Sequence, residues 1–302
     1  MGKIAFVFAG QGAQAPGMGK GFCESSAAAA EVFAAADQVR PGTSAQCFEA
    51  PEEVLQETRN TQPCLYTVEM AIAAAVEQAG IKAEAAAGFS LGELSALTYA
   101  GAMDLATGLQ VVTRRAELMQ ACSEEHDTAM AAVIKLSNED IEKICGQYQH
   151  MYPVNFNCPG QTTVSGDAKE MELFAESVKE AGGRAKILKV SGAFHSPYMS
   201  EAARGFAGVL KEADITAPRI PVYSNYTGEP YGEDVRSTLT AQIDHPVRWE
   251  VIIRRMIEEG FDTFIELGPG KTLCGLIKRI DSGVRLFHVS VPEDLELLKQ
   301  SL

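Results

Sequence analysis

The chain has 302 residues, 46% hydrophobic and 22% charged, enough apolar material for one large domain or a domain carrying an insertion. Lys and Arg total 26 against 40 Asp and Glu, a formal charge of −14, which argues against nucleic acid and anionic membrane as bulk partners. The 7 cysteines show no CxxC spacing, the apolar opening is too short for a signal-peptide core, and no run approaches the ~18 residues of a membrane span. These features predict a cytoplasmic protein with reduced thiols and no metal centre.

In chain order, "KIAFVFAG" reads as a buried first strand, followed by the glycine-rich loop "GQGAQAPGMGKG" and a helix over 26–38. A long apolar helix over 64–80 ends in glycine, and "AEAAAGF" is a weak strand ahead of helices over 91–101 and 104–121. The middle differs. Strand 130–136, helix 138–148, strands 152–157 and 161–166 about a "CPG" turn, helix 169–183 and strand 184–190 form a βαββαβ order, the ferredoxin-like pattern. Beyond it come helix 197–214, strand "IPVYSN", helix 247–259, strand "FDTFIEL", helix 271–281, strand "VRLFHVS" and helix 293–300. Strands alternating with helices predict an α/β fold with a parallel sheet covered on both faces. The expected layout is a large domain of residues 1–127 and 192–302, with residues 128–191 inserted as a small domain.

Gly88-Phe89-Ser90-Leu91-Gly92 lies between the weak strand and a helix. Gly-x-Ser-x-Gly in that setting is the nucleophile elbow of α/β-hydrolase-like folds: the serine is strained, and flanking glycines let the backbones pass closely. The plainer alternative is a glycine-rich turn with a buried capping serine. A serine nucleophile needs a base. Of the 5 histidines, His126 lies in a polar loop, His150 at the mouth of a small-domain strand, His288 within a strand, and His245 ahead of a proline. His195, in "SGAFHSPYM", stands where the chain re-enters the large domain, and domain junctions make clefts. Asp167 and the neighbouring glutamates lie between Ser90 and His195 in sequence, but none follows a large-domain strand. A Ser–His dyad, its imidazole oriented by a backbone carbonyl, is therefore expected.

On the helix "DLATGLQVVTRRAELMQAC", Asp104 is the N-cap. At 100° per residue Arg114 faces away from the apolar stripe, whereas Arg115 lies near Val112 and Met119 and points inward. A buried guanidinium needs an anionic partner. Either a buried carboxylate such as Glu93 or the substrate itself fills that role.

"FAGQGAQ" at 8–14, "GFSLGE" at 88–93, Arg115 in "RRAELMQ", "VNFNCPGQ" at 154–161, "GAFHS" at 192–196 and "IELGPGKTL" at 265–273 together resemble the malonyl-CoA:acyl carrier protein transacylases. The acyltransferase domains of fatty acid and polyketide synthases share this pattern. The resemblance implies that Ser90 takes a malonyl group from malonyl-CoA, with His195 as base and then acid, and passes it to the phosphopantetheine thiol of acyl carrier protein. It implies an oxyanion hole from the main-chain N–H groups of Gln11 and Leu91, a malonyl carboxylate on Arg115, and His195 oriented by the Gln242 carbonyl. Asn157 and the turn 268–270 are implied to lie near the site, although a strand-end residue bonding its own turn is an equal reading of Asn157. Malonyl-CoA is then a substrate, and no cofactor is expected.

One position departs: family members usually carry histidine where this chain has Phe89, which cannot hydrogen-bond. Phe194, just before His195, resembles members that prefer malonyl to methylmalonyl groups, because its ring crowds a branched acyl chain. Carrier proteins are acidic, so docking calls for a local basic patch, with Lys186, Lys189, Lys271, Lys278 and Arg279 as candidates. Other functions compatible with this sequence are a trans-acting acyltransferase or acyl hydrolase of a polyketide pathway, and a non-catalytic malonyl-CoA binding module.

Overall fold

The computed structural model describes residues 2–188 and 192–302. The strands are β1 (Lys3–Phe8), β2 (Ala85–Gly88), β3 (Thr128–Ile134), β4 (Met151–Cys158), β5 (Gln161–Asp167), β6 (Arg184–Ile187), β7 (Val222–Tyr223), β8 (Phe261–Leu267) and β9 (Arg285–Val289). Five form one parallel sheet in the order β7-β2-β1-β8-β9. The other four form a separate antiparallel sheet in the order β4-β5-β3-β6. The fold is therefore mixed α/β.

The period of two along β1 explains why the parallel sheet is covered on both faces. Phe6 and Phe8 join one apolar cluster, while Ala5 and Val7 join the other. β2 is almost all alanine, a poor strand former. Hydrogen bonding to β1 on one side and β7 on the other makes it a strand, and small side chains leave room for the elbow above it. The small sheet packs one face on helices Asn138–Cys145 and Ala168–Glu180 through Val133, Ile141, Val164 and Phe174. Met130 and Val154 instead join the main core. Val247 stitches the two parts together, donating its N–H to the Val154 carbonyl at 2.8 Å while its own carbonyl accepts from the Phe156 N–H at 2.9 Å.

Several elements differ from the sequence reading. The long helix starts at Thr58, not after Pro63, because the proline lies near the open end and forfeits only the bond to the Arg59 carbonyl. "IPVYSN" contributes only the two-residue β7, and the chain then turns back so that the Tyr231 N–H reaches the Val222 carbonyl. Short helices Lys20–Ser25, Thr43–Glu49, Glu52–Gln56 and Val235–Ala241 carried too little periodicity to be recognised. The end of the expected strand 184–190 lies outside the described residues. No described helix is long and apolar enough to cross a membrane, and no cluster of described side chains could hold a metal ion.

Candidate active site

The C-terminal ends of β1 and β2 meet where side chains converge from every layer, the usual place for a site in a parallel sheet. β2 stops at Gly88 and a helix starts at Gly92. A Cβ on Gly88 would lie 1.9 Å from the Gly92 carbonyl carbon, and one on Gly92 would lie 2.2 Å from the Phe8 oxygen. Only glycine fits either position. Between them Ser90 sits at φ 54, a left-handed conformation that costs a non-glycine residue roughly 1–2 kcal/mol. The surroundings hold it there. Its N–H donates to Asn225 Oδ1 at 2.7 Å, its carbonyl accepts from Gln242 Nε2 at 2.7 Å, and Asn225 Nδ2 donates to the Gly88 carbonyl at 2.7 Å.

His195 is buried, 3% exposed, and also left-handed at φ 60. Its Nε2 lies 2.7 Å from Ser90 Oγ and its Nδ1 lies 2.8 Å from the Gln242 carbonyl oxygen. A carbonyl only accepts, so Nδ1 carries the proton and Nε2 presents its lone pair to the serine hydroxyl. Burial, reinforced by the nearby Arg115 charge, pulls the imidazole pKa down to about 4. The ring is therefore neutral at neutral pH, as a base must be. None of the other four histidines meets a serine among the described residues. His245 bonds the Ala241 carbonyl, His288 faces Asp294, and His126 and His150 lie beside Tyr198.

Arg115 points inward and is fully buried, whereas Arg114 is exposed and pairs with Glu117. The ion pair between Arg115 and Glu93 that the sequence allowed does not form directly. One terminal nitrogen donates to Gln62 Oε1 at 2.7 Å; the other donates to Gln242 Oε1 at 2.8 Å and lies 3.3 Å from Ser90 Oγ. The Gln242 amide stands between the two charges, its Nε2 reaching Glu93 Oε2 at 2.9 Å. The guanidinium Nε has no partner among the described residues. Burial lowers the Arg115 pKa to about 10, so the cation persists with neutral neighbours, ready for an anion.

Ser90 and His195 open onto a cavity of about 110 Å³ whose apolar walls include Phe89, Met119, Met130 and Phe194. Phe89 packs edge-on against Trp249, ring centroids 5.6 Å apart. Gln11 also lines this cavity, and its loop presses on the elbow so closely that a Cβ on Gly10 would lie 2.6 Å from the Phe89 oxygen. Among the described residues, the main-chain N–H groups of Gln11 and Leu91 donate to no other protein atom. One expectation comes out differently. Asn157 is not in the cavity wall; its amide donates to Thr163 Oγ1 at 3.2 Å across its own hairpin, and Thr163 and Asn155 line the wall instead. The turn 268–270 packs on Ala9 and Glu69, and Ser290 donates to its Gly268 and Gly270 carbonyls. A larger surface groove of about 790 Å³, between helices Ser200–Glu212 and Val235–Ala241, carries none of these groups.

Sequence reasoning missed Gln62, Asn225 and the Gln242 side chain. They are neutral amides with no chemistry of their own: Gln62 precedes Pro63, Asn225 ends the "IPVYSN" segment, and Gln242 caps the helix Val235–Ala241.

The acyl transferase domain family matches residues 5–282. The malonyl CoA-acyl carrier protein transacylase of Bacillus subtilis (strain 168) is 40% identical over 310 residues, covering 100% of this chain and 98% of the relative. The crystal structure of the malonyl CoA-acyl carrier protein transacylase from Clostridium perfringens superposes with a TM-score of 0.96 at 37% identity, covering 99% of this chain and 96% of that one. A malonyl-transacylase solved in complex with a type II PKS acyl-carrier protein also has a TM-score of 0.96, at 34% identity over 99% of this chain and 100% of its own. With a likeness this even across both sheets, the chain belongs to the acyl transferase domain family, among the malonyl CoA-acyl carrier protein transacylases.

Proposed function

We propose that this enzyme moves a malonyl group from CoA to the phosphopantetheine thiol of an acyl carrier protein through an ester on Ser90. The observation that carries this reading is the meeting of three groups at one oxygen: Ser90 Oγ lies 2.7 Å from His195 Nε2 and 3.3 Å from an Arg115 terminal nitrogen. In the first half-reaction Ser90 Oγ attacks the thioester carbonyl and His195 Nε2 takes its proton. The oxyanion collects on the N–H groups of Gln11 and Leu91, the C–S bond breaks, and CoA leaves with the proton from His195. In the second, the carrier thiol gives its proton to His195 and its sulfur attacks the ester carbonyl; the C–O bond to Ser90 breaks, and His195 returns the proton to the Ser90 oxygen. Gln242 keeps the imidazole in the required tautomer through its carbonyl, the part that Asp or Glu plays in a triad. Arg115 holds the malonyl carboxylate, and the phenylalanine and methionine walls exclude water that would hydrolyse the ester.

The architecture is read as a hydrolase-like large domain of residues 1–127 and 192–302 carrying a ferredoxin-like domain of residues 128–191. The β4-β5-β3-β6 order with two helices on one face supports that reading. Lys186, Lys271, Lys278 and Arg279 are exposed, and Arg279 bonds Gln161 across the junction of the two sheets. They fit a carrier-protein dock; Lys189 lies outside the described residues. Seven unbridged cysteines, all buried or half-buried, suit a cytoplasmic enzyme. The test is transfer from malonyl-, methylmalonyl- and acetyl-CoA to a holo acyl carrier protein. Malonyl transfer should dominate, and acetyl transfer at the malonyl rate would remove the role given to Arg115.

A further inference from the structure

We propose that Glu93 is a positioning residue of this site, holding Arg115 and His195 in mutual register through a single intermediary, Gln242. The inference deepens the malonyl-transfer reading and rests on it. Gln242 is the only residue that bonds all the working groups among those described. Its carbonyl accepts from His195 Nδ1 at 2.8 Å, its Oε1 accepts from Arg115 at 2.8 Å, and its Nε2 donates to the Ser90 carbonyl at 2.7 Å. Such a residue works only if its amide cannot flip. Nε2 also donates to Glu93 Oε2 at 2.9 Å. A flipped amide would turn its NH₂ on the guanidinium donors and its oxygen on a carboxylate and a carbonyl, placing like against like at every contact.

Glu93 is itself fully buried, three residues beyond Ser90 in the first turn of helix Gly92–Tyr99. Every group that meets its carboxylate is a donor: the Tyr231 hydroxyl, the Asn225 N–H at 3.2 Å to each oxygen, and Gln242 Nε2. A proton on Glu93 would face a donor, so the site is built for the anion. The titratable groups facing it are Tyr231, on the loop after β7, and Arg115, from helix Leu105–Glu125. Glu69, from helix Thr58–Gln78, meets Ser95, which lies on the opposite face of the Glu93 helix. Because Gln242 separates the charges, Glu93 balances Arg115 without occupying the guanidinium fork. A direct ion pair would block the fork against an acyl carboxylate.

Burial raises the Glu93 pKa to about 7, against the pull of Tyr231, Gln242, Asn225 and Arg115. The working carboxylate is present above that value and lost as pH falls through it. The His195 base fails only near 4. The experiment is the pH profile of kcat/KM for malonyl-CoA, with intact-mass detection of malonyl on Ser90, for the wild-type enzyme, Glu93→Gln and Tyr231→Phe. The wild-type profile should fall on the acid side near 7. In Glu93→Gln the plateau should drop about 10- to 100-fold, the scale of small misplacements of catalytic groups, with KM raised and the limb near 7 gone. Ser90 should still take one malonyl group, more slowly. Tyr231→Phe keeps the carboxylate but removes a donor, so its limb should move to higher pH. A wild-type profile that falls only near 4, or a Glu93→Gln profile with the wild-type limb, overturns the proposal without touching malonyl transfer. Absence of malonyl from Ser90 in the wild-type enzyme overturns the transfer reading, and this proposal with it.

Discussion

Arg115, from the helix Leu105–Glu125, meets Ser90 on the elbow, one terminal guanidinium nitrogen lying 3.3 Å from the serine oxygen. A guanidinium this close can reach a negative group on an acyl chain carried by that oxygen, as the proposed malonyl transfer requires. Arg115→Ala should reduce kcat/KM for malonyl-CoA by about 2–4 kcal/mol of transition-state binding, roughly 30- to 1,000-fold, while acetyl-CoA is used no worse. Steady-state assays with both thioesters check this, and an equal loss for both would show that Arg115 serves the fold instead.

Asn225 holds the elbow in its strained form from beneath, accepting the Ser90 N–H and donating to the Gly88 carbonyl. Asn225→Ala leaves two buried main-chain groups unpartnered. The expected cost is about 2–4 kcal/mol in unfolding free energy, with a fall in kcat because Ser90 is no longer aimed. Denaturant titration beside kinetics measures both.

His195 titrates near 4 in the folded chain and near 6.5 in the unfolded one. Between those values the unfolded chain binds the proton and the folded chain does not, so stability from the neutral buried ring is complete above 6.5 and is lost as pH falls toward 4. His195→Asn, a residue that tolerates the left-handed backbone, removes this dependence. Denaturation midpoints of the two proteins should diverge on acidification, the wild type losing up to about 3 kcal/mol relative to the variant. Parallel curves would contradict the burial of a neutral imidazole.

Phe194 is 8% exposed and forms part of the cavity wall beside His195. Phe194→Ala should raise the methylmalonyl-to-malonyl ratio of kcat/KM about 10-fold, the scale of one added methyl group against a tight wall. Competition assays with both thioesters read the ratio directly.

The groups legible in the sequence were those whose chemistry demands a fixed pattern. Two glycines had to flank Ser90, a histidine had to sit in the cleft, and Arg115 stood on the apolar side of its helix. The amides that align them were not legible. Gln62, Asn225 and the Gln242 side chain act through hydrogen bonds to residues 53, 135 and 127 positions away in sequence, and nothing local marks such a bond. For Arg115 the sequence offered Glu93 or a substrate; the direct pair with Glu93 does not form, because the Gln242 amide lies between the charges. Asn157 was drawn toward the site by its motif, yet its side chain spends its donor on Thr163. Among the elements, the helix Thr58–Gln78 begins six residues earlier than its apolar run because Pro63 near a helix start costs little, whereas the alanine-rich β2 forms where expected because tertiary pairing outweighs local preference.

The most direct test is brief exposure of the purified protein to malonyl-CoA without carrier protein, followed by proteolysis and mass spectrometry. One malonyl group on the peptide carrying Ser90, absent in Ser90→Ala and discharged when holo acyl carrier protein is added, is the expected result. An unmodified Ser90 in a protein that still transfers malonyl, or malonyl carried on another residue, would contradict it.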